Sequence, residues 1–318
     1  KEREAEKNLA DCRKDLRKAR EEITANQNTI AGYTLRQTTR KQRSKEMAQE
    51  VQKLQSALQS VQAKARVFRA MEQDLEGYNK SVRQVMQEAK RGSLRNIHGP
   101  VSKLIRTEDD YTVAIEIALG AAMQQIVVDN EADGKAAISY LKRTGGGRAT
   151  FLPISALKPK TLQESGLEAC AGFVGIASNL ITAEPKYQGV VENLLGRTVI
   201  VENIDNAIAM AKRYGNRFKI VTLDGQVMNP GGSMTGGSVN KEAGILSRAN
   251  ELEKLTAQEK KLGDKLHVAE TQYQEARRAA DQVEFQLNTA REQLAEAEKQ
   301  VLTLEGKEKQ HEIWLQAV

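Results

Sequence analysis

Two long stretches of the chain, one near each end, carry apolar residues at alternating steps of four and three. An average spacing of 3.5 residues is typical of a coiled-coil seam, whereas one face of a globular helix follows a 3.6-residue period. The first seam consists of Ala5, Leu9, Cys12, Leu16, Ala19, Ile23, Asn26, Ile30 and Tyr33 and then, after a gap, of Val51, Leu54, Leu58, Val61, Ala65 and Phe68. The second consists of Leu266, Ala269, Tyr273, Ala276, Ala280, Val283, Leu287, Ala290, Leu294, Ala297, Val301 and Leu304. Each seam predicts a long helix that needs a partner.

The other arm is the nearest partner for each seam, because both arms flank one compact segment and would run antiparallel. About 70 residues at 1.5 Å each predict a rod of roughly 100 Å. The first arm is longer by about 20 residues, and this surplus predicts a loop, an unpaired stretch or an overhang at residues 32–45. That stretch is either a solvated interruption or a DNA contact, since it holds five cations and no acid: Arg36, Arg40, Lys41, Arg43 and Lys45.

The charge is unevenly distributed along the chain. The formal net charge of +6 divides into +8 for residues 1–92, +2 for residues 93–248 and −4 for residues 249–318. A basic arm and an acidic arm attract one another as partners, and a basic surplus is compatible with nucleic acid. Aromatic residues make up only 4% and charged residues 28% of the chain, which favours long solvated helices over a large core.

Two features of the sequence indicate its cellular environment, namely the two cysteines and the absence of long apolar runs. Cys12 and Cys170 are too far apart for a C-x-x-C site, and Cys12 lies in a seam, where a buried thiol is expected. These features predict a reducing compartment. We find no apolar run of the length that spans a membrane, and no signal peptide. Because the sequence does not begin with Met, we expect a piece of a longer protein.

The middle of the chain contains an internal duplication. Residues 111–120 predict a helix. It is followed by a strand at 126–130, a helix ending in Lys142-Arg143 and a strand at 149–154. The same parts recur in the same order at 187–196, 199–203, a helix ending in Lys212-Arg213, and 218–223. The repeat predicts two similar α/β subdomains related by a pseudo-twofold axis.

A glycine-rich segment, NPGGSMTGGS at residues 229–238, follows the second copy. A phosphate-binding loop would need a Lys and a following helix, and the Walker pattern G-x-x-x-x-G-K-[ST] does not occur in the sequence. A flexible linker would rarely place Met and Thr between two glycine pairs. Paired glycines also allow one backbone to approach another closely, and we favour that interpretation.

Several motifs in a fixed order resemble the hinge of bacterial SMC (structural maintenance of chromosomes, condensin-type) proteins. The resemblance covers about residues 93–250, with the flanking heptads as hinge-proximal coiled coil, and rests on HGPVSKLI, AIEIALGAAMQQIVV, GRATFLP, NLLGRTVIVEN and PGGSMTGGS. It implies an α/β (α+β) hinge domain of two similar subdomains, flanked by two long helices that form an intramolecular antiparallel coiled coil. We expect domain limits of 1–92, 93–248 and 249–318, with subdomains at about 98–165 and 166–238.

The resemblance also implies a role for this chain. The hinge would homodimerise through the glycine segment and so help to organise chromosomal DNA in condensation and segregation, and the implied interface residues are Gly231, Gly232, Met234, Gly236 and Gly237. ATP and Mg²⁺ would bind at head domains outside this chain, where kleisin-type subunits would also bind. This chain would therefore be no enzyme and would hold no cofactor or metal. Its parent would lie in the cytoplasm with the nucleoid.

DNA contact near the junction of hinge and coil is a further implication of the resemblance. The candidate residues are Lys90, Arg91, Arg95, Lys241 and Arg248, which come from both ends of the hinge and would contact phosphates without reading sequence. An ordinary solvated basic surface is the alternative. A different class of function also stays open, namely a nucleic-acid-binding module in which dimerisation is incidental. Catalysis has little support, because the histidines His98, His267 and His311 are scattered.

Overall fold

The computed structural model describes residues 2–241 and 244–317 of the chain. Contacts group these residues into two units. Residues up to 61 together with residues from 259 onward form the coiled-coil unit, and residues 62–258 form the compact unit. Among the described residues, none of the helices combines the length and the apolar character that crossing a bilayer requires.

The coiled-coil unit is formed by the larger parts of two helices of nearly equal length, α1 (Glu2–Gln73) and α8 (Ile245–Ala317), while the end of α1 and the start of α8 belong to the compact unit. Within this unit they run antiparallel, as three ion pairs show: Arg13 with Glu312 at 2.7 Å, Arg20 with Glu305 at 2.9 Å, and Lys41 with Glu284 at 3.6 Å. From one ion pair to the next, the residue number rises along α1 by a whole number of heptads and falls along α8 by the same number. The predicted antiparallel arms are therefore confirmed, with a single register.

The predicted interruption of the first arm at residues 32–45 is wrong, because α1 is helical through this stretch. Half-buried positions continue in steps of three and four across it, and Gln37, Arg40 and Ser44 occupy them. The seam therefore keeps its phase and changes only in composition. The expected surplus of about 20 residues does not arise either, since α1 ends at Gln73 and the chain beyond it belongs to the compact unit.

Cys12 and Asn26 both occupy seam positions of α1, as their spacing indicated. Cys12 is buried, and its thiol donates to the carbonyl of Leu304 across the seam at 3.6 Å. This contact fits the inert packing residue that the sequence suggested.

The compact unit is an α/β domain with short elements. Its helices are α2 (Lys80–Arg91), α3 (Val101–Leu104), α4 (Thr112–Leu119), α5 (Glu131–Thr144), α6 (Gln188–Leu195) and α7 (Ile204–Arg213). Its strands are β1 (Ile97–Pro100), β2 (Ile105–Arg106), β3 (Ile126–Val128), β4 (Phe151–Pro153), β5 (Phe173–Ile176), β6 (Thr182–Ala183), β7 (Thr198–Val201), β8 (Lys219–Thr222), β9 (Val227–Met228) and β10 (Met234–Thr235).

The predicted duplication is confirmed in the sheets. One sheet has the order β1-β3-β4 and the other β10-β9-β8-β7-β5. In the first sheet, β1 pairs antiparallel with β3, and β3 pairs parallel with β4. In the second, β5 pairs antiparallel with β7, and β7 pairs parallel with β8. Both antiparallel pairs are irregular at the same place, between Ile97 and Gly99 and between Phe173 and Gly175. Asn130 and Asn203 also match, because each side chain caps the following helix through a 3.0 Å bond from the backbone N–H three residues on.

The two subdomains share one hydrophobic core. Its buried members include Ile115 and Val127 from the first copy and Leu195, Ile200 and Val221 from the second. The equivalent strands β2 and β6 pair with each other in an antiparallel manner, as a pseudo-twofold axis between the copies requires. The subdomains therefore fold as one body.

His98 connects the two subdomains. Its Nδ1 lies 2.8 Å from the hydroxyl of Tyr187, and its Nε2 contacts Asp129. Its ring also meets the Tyr187 ring edge to face, with centroids 5.3 Å apart. These contacts agree with a packing residue.

Helix α2 packs against the first sheet. Its Val82 and Val85 are buried with Ile126, Val128 and Leu141 in a second cluster. The sequence counted this segment with the leading arm, but its apolar side chains face the sheet, so it lies in the compact unit. The predicted limits at 92/93 and 248/249 and within the hinge stay a prediction.

Shortening a seam residue should destabilise the coiled coil. Leu287 is fully buried in the seam of α8, whereas Leu302 on the same helix is 69% exposed. We expect Leu287→Ala to lower the free energy of unfolding of the coil by about 2–4 kcal/mol, because it leaves a cavity. Leu302→Ala should change it by less than about 0.5 kcal/mol. Melting followed by circular dichroism at the helix band measures both, and equal melting temperatures would contradict the seam.

Candidate functional site

The glycine-rich segment forms a hairpin at the end of the larger sheet. Asn229 and Pro230 begin a tight turn in which the N–H of Gly232 donates to the carbonyl of Asn229 at 3.0 Å. Gly231 has φ +86° at the position after the proline, where a type II turn needs a residue that tolerates positive φ. The N–H of Asn229 donates to the carbonyl of Ser233 at 2.8 Å, which closes the hairpin between β9 and β10.

The second glycine pair is held by a side chain of the same subdomain. The Gln226 amide bonds the backbone of Gly237 twice, accepting from its N–H at 2.8 Å and donating to its carbonyl at 3.0 Å. This amide occupies the space beside Gly236, where a Cβ would lie only 2.1 Å from Gln226 Oε1. A side chain at Gly236 would therefore force the Gln226 amide to move, and nothing in the sequence pattern pointed to Gln226.

The outer side of this hairpin is open. Strand β10 is the last strand of its sheet, so one of its edges has no partner within the described chain. Met234 on this strand is 57% exposed, although it is a large apolar residue. A Cβ added at Gly231 or Gly237 would meet no atom within 4 Å. An open strand edge with an exposed apolar residue and little side-chain bulk beside it can accept another strand.

The predicted interface residues are thus brought together on one hairpin with different surroundings. Gly236 is enclosed by Gln226, and Gly232 lies near Asn216, whereas Gly231, Gly237 and Met234 face open space. Their role in an interface stays a prediction.

The candidate DNA-binding cations form two groups instead of one cluster. Lys90, Arg91 and Arg95 are exposed at the C-terminal end of α2 and in the loop before β1. Arg91 makes a long 3.5 Å contact with Glu88. Arg248 lies beside Gly77, ahead of the N-terminal end of α2, and a helix of 12 residues separates the two ends by about 18 Å.

Lys241 and Arg248 line an open groove of about 1090 Å³. The lining also includes Asp109, Glu202 and Asp224, whose carboxylates oppose the approach of phosphate. Arg248 donates to the backbone carbonyl of Glu76 at 2.8 Å, which gives it a structural partner. The second group is therefore a weaker candidate for DNA than the first.

Other cations beside the end of α1 were missed by the sequence reasoning. Lys103 donates to the carbonyl of Glu72 at 3.3 Å, and Arg106 pairs with Glu253 at 3.0 Å. The last carbonyls of a helix lack partners within it and attract cations. Burial lowers the pKa of Lys103; the carboxylate of Glu72 opposes this shift, and the neighbouring Arg106 adds to it. These two residues could have been predicted only from the position at which α1 ends. The sequence analysis placed the end of the first arm elsewhere.

The start of α8 is held by a half-buried carboxylate. Glu116 on α4 accepts a 2.6 Å hydrogen bond from the backbone N–H of Leu246, in the first turn of α8. Burial raises the pKa of Glu116, and the backbone hydrogen bonds from Leu246 and Ser247 oppose that rise. No group of three or more His, Cys, Asp or Glu side chains within the described residues is placed to hold a metal ion.

Duplicated subdomains with a shared core, an open glycine hairpin and an antiparallel coil define an SMC hinge with adjoining coiled coil. The family described as "SMC proteins Flexible Hinge Domain" matches residues 94–211. The chain belongs to this family.

Similar proteins agree with this assignment. The chain is 36% identical to the Geobacillus stearothermophilus SMC hinge domain, solved as an asymmetric dimer, with a TM-score of 0.71 and coverage of 76% of this chain and 98% of that one. It is 40% identical over 254 residues to the chromosome partition protein Smc of Bacillus subtilis (strain 168), covering 78% of this chain and 21% of that protein. It is 34% identical over 218 residues to the Smc protein of Methanocaldococcus jannaschii, with 65% and 18% covered. The chain thus spans about a fifth of the length of these two Smc proteins.

The contact between Gly236 and Gln226 predicts a non-additive pair of mutations. Gly236→Ala would displace the Gln226 amide, and we expect a loss of about 1–2 kcal/mol in the free energy of unfolding as the two bonds to Gly237 break. Gln226→Ala alone should cost a similar amount. If the contact is real, adding Gly236→Ala to Gln226→Ala should cost little more, because the space is already empty. Denaturant unfolding of the four proteins measures the coupling, and strict additivity would contradict it.

Proposed function

We propose that this chain is the homodimerisation hinge, with part of the coiled coil, of an SMC protein that acts in chromosome condensation and segregation. The observation that carries the proposal is the open edge of β10 between two glycine pairs. Edge strands of soluble proteins are usually covered or protected by charge, whereas this one bears an exposed methionine. A second copy of the hinge would cover that edge. The solved dimer of the similar Geobacillus hinge supports the same partner.

Sequence-independent DNA contact is the second part of the proposal. Lys90, Arg91 and Arg95 support it, because they are exposed at one end of α2. Such cations would bind phosphates and tolerate any base sequence. If DNA binding were the main role and dimerisation incidental, the chain would bind DNA equally well as a monomer.

The wider role concerns parts of the parent protein that this chain does not include. We infer that ATP and Mg²⁺ act at head domains elsewhere in the parent, and that kleisin-type subunits bind there. The hinge itself would transmit changes in arm position without a cofactor or catalytic step of its own. The parent would work on the nucleoid in the cytoplasm.

A charge placed on the β10 edge should break the dimer. Light scattering of the wild type should give a mass near twice 35.2 kDa. Met234→Glu should weaken self-association at least tenfold, because pairing would bury an unpaired carboxylate. Ile138→Glu, at an apolar residue of similar exposure on α5, serves as the control and should stay dimeric. A monomeric wild type, or a Met234→Glu protein that remains as tightly dimeric, would place the contact elsewhere.

Removing the first cation group should weaken DNA binding in a salt-dependent way. We expect the Lys90→Gln, Arg91→Gln, Arg95→Gln triple variant to reduce the slope of log K against log salt by up to about 2.7, at about 0.9 for each phosphate contact. The control replaces three other exposed lysines of the unit, Lys158, Lys160 and Lys212, by Gln. Fluorescence anisotropy with a labelled duplex measures both slopes. If the slope falls by the same amount in both variants, the effect comes from net charge and not from the position of Lys90, Arg91 and Arg95. Comparing the monomeric Met234→Glu protein with wild type tests whether dimerisation is incidental.

A further inference from the structure

A polar stretch of the coiled coil remains unexplained by the hinge function. Residues 26–47 of α1 keep the seam period, but Gln37, Arg40 and Ser44 take positions where apolar residues would be expected. The facing part of α8 is apolar and buried, with Ala280, Val283 and Leu287 in its seam. The polar side chains therefore meet an apolar surface, which costs stability unless their polar ends reach an acceptor or solvent.

Arg40 meets this requirement by extending out of the seam. Its Nη1 donates to the backbone carbonyl of Ala279 at 3.3 Å, and the side chain is half-buried at its seam position, as expected for a long side chain whose apolar stem covers apolar surface. Ala279 and Glu284 flank the α8 seam on opposite sides, because they lie just outside the seam positions 280 and 283. The guanidinium of Arg40 is thus drawn to the flank of Ala279, and Lys41 pairs with Glu284 on the other flank.

The two flanks of the coil differ in how their charges are neutralised. The flank of Lys41 repeats cross-helix ion pairs along the coil, including Arg13 with Glu312 and Arg20 with Glu305. Among the residues that the structure describes, the flank of Ala279 has no such pairing at this level. Arg36 and Arg43 lie there on either side of Arg40, at the four- and three-residue spacings that align side chains on one helix face. Within residues 2–241 and 244–317, no carboxylate oxygen lies within 4 Å of either guanidinium.

We call Arg36, Arg40 and Arg43 the arginine stripe. Its length along the helix is about 10 Å, since seven residues separate its ends. It is bounded, because the equivalent positions one heptad before and one after hold Thr29 and Glu50. Arg36 also lies over the ring of Tyr33 at 6.0 Å, which limits where its guanidinium can go.

We propose that the arginine stripe is a binding surface for the phosphate backbone of double-stranded nucleic acid, separate from the cations of the compact unit. Guanidinium groups match phosphate oxygens with two parallel hydrogen bonds and are less strongly hydrated than ammonium groups. The phosphates of one strand advance by about 3.4 Å along the duplex axis, so a 10 Å stripe aligned with that axis spans about three of them.

The arginine stripe is charged and, within the described part of the chain, has no apolar anchor residue beside it, which favours nucleic acid over an acidic protein as its partner. Protein interfaces depend on a few buried aromatic or apolar side chains. The large exposed apolar residue nearest to the stripe in sequence, Leu35, lies on the side of α1 that faces away from the seam. Side chains of α8 at the flank, such as Gln272 and Gln286, are polar and uncharged. They can donate to phosphate oxygens but offer no apolar contact area.

The test uses the whole chain and a labelled duplex of about 40 base pairs, with anisotropy titrations at several salt concentrations between 50 and 200 mM. The variant Arg36→Gln, Arg43→Gln removes the two ends of the stripe and leaves Arg40, which the seam needs. We expect its salt slope to fall by about 1.8, at about 0.9 for each contact, with weaker binding throughout. Glutamine is a good helix former, so helix content and melting should not change.

The matched control is Arg277→Gln, Arg278→Gln. These residues lie at a similar level of the coil but off the stripe flank, and the control removes the same charge. Unchanged slopes in the stripe variant, or an equal fall in the control, would overturn the proposal. A stripe variant that loses self-association and keeps its DNA slope would assign the stripe to a second copy of the chain, which also overturns it. This test does not depend on the result for the triple variant at Lys90, Arg91 and Arg95. Either proposed DNA-binding surface can therefore be disproved without the other.

Discussion

The core shared by the two subdomains is the constraint on which the compact unit depends. Each subdomain contributes short strands and small helices that bury too little apolar surface alone. Ile115 and Val127 from one copy and Leu195 and Ile200 from the other lie in a single cluster, so each copy supplies a wall of the other's core. The pairing of β2 with β6 adds backbone hydrogen bonds across the same boundary. A rigid body of this kind can hold a hairpin edge and helix ends in fixed positions.

The open edge arises from an asymmetry within this duplication. The first sheet ends at β4, whereas the second continues through β8 into β9 and β10. The added hairpin depends on glycine in two physically different ways. Gly231 allows the positive φ of the turn, and Gly236 leaves room for the Gln226 amide that holds Gly237. Both shape the strand inside its own chain and leave the far edge of β10 unobstructed.

The coil shows how a heptad register tolerates polar residues. The seam stays in phase past Gln37, Arg40 and Ser44 because the flanking layers are apolar and because Arg40 can cover the seam with its methylene groups. The cross-helix ion pairs on one flank agree with the same register. Exposed pairs of this kind contribute less than about 1 kcal/mol each, so they select the register more than they stabilise the coil. The apolar seam supplies most of the stability.

The sequence by itself determined the arms, their antiparallel pairing, the duplicated α/β subdomains and the family. These follow from local periods and from motifs in a fixed order, which survive without knowledge of tertiary contacts. Tertiary structure decided what local patterns leave ambiguous. The end of α1 at Gln73 and the packing of α2 on the first sheet depend on which surface buries Val82 and Val85, and a short amphipathic helix fits either an arm or a domain. The role of Gly236 depends on Gln226, ten residues earlier, and the structural role of Arg248 depends on a carbonyl far away in sequence. Spacing along the chain cannot reveal such contacts, because they form only when the fold brings distant segments together.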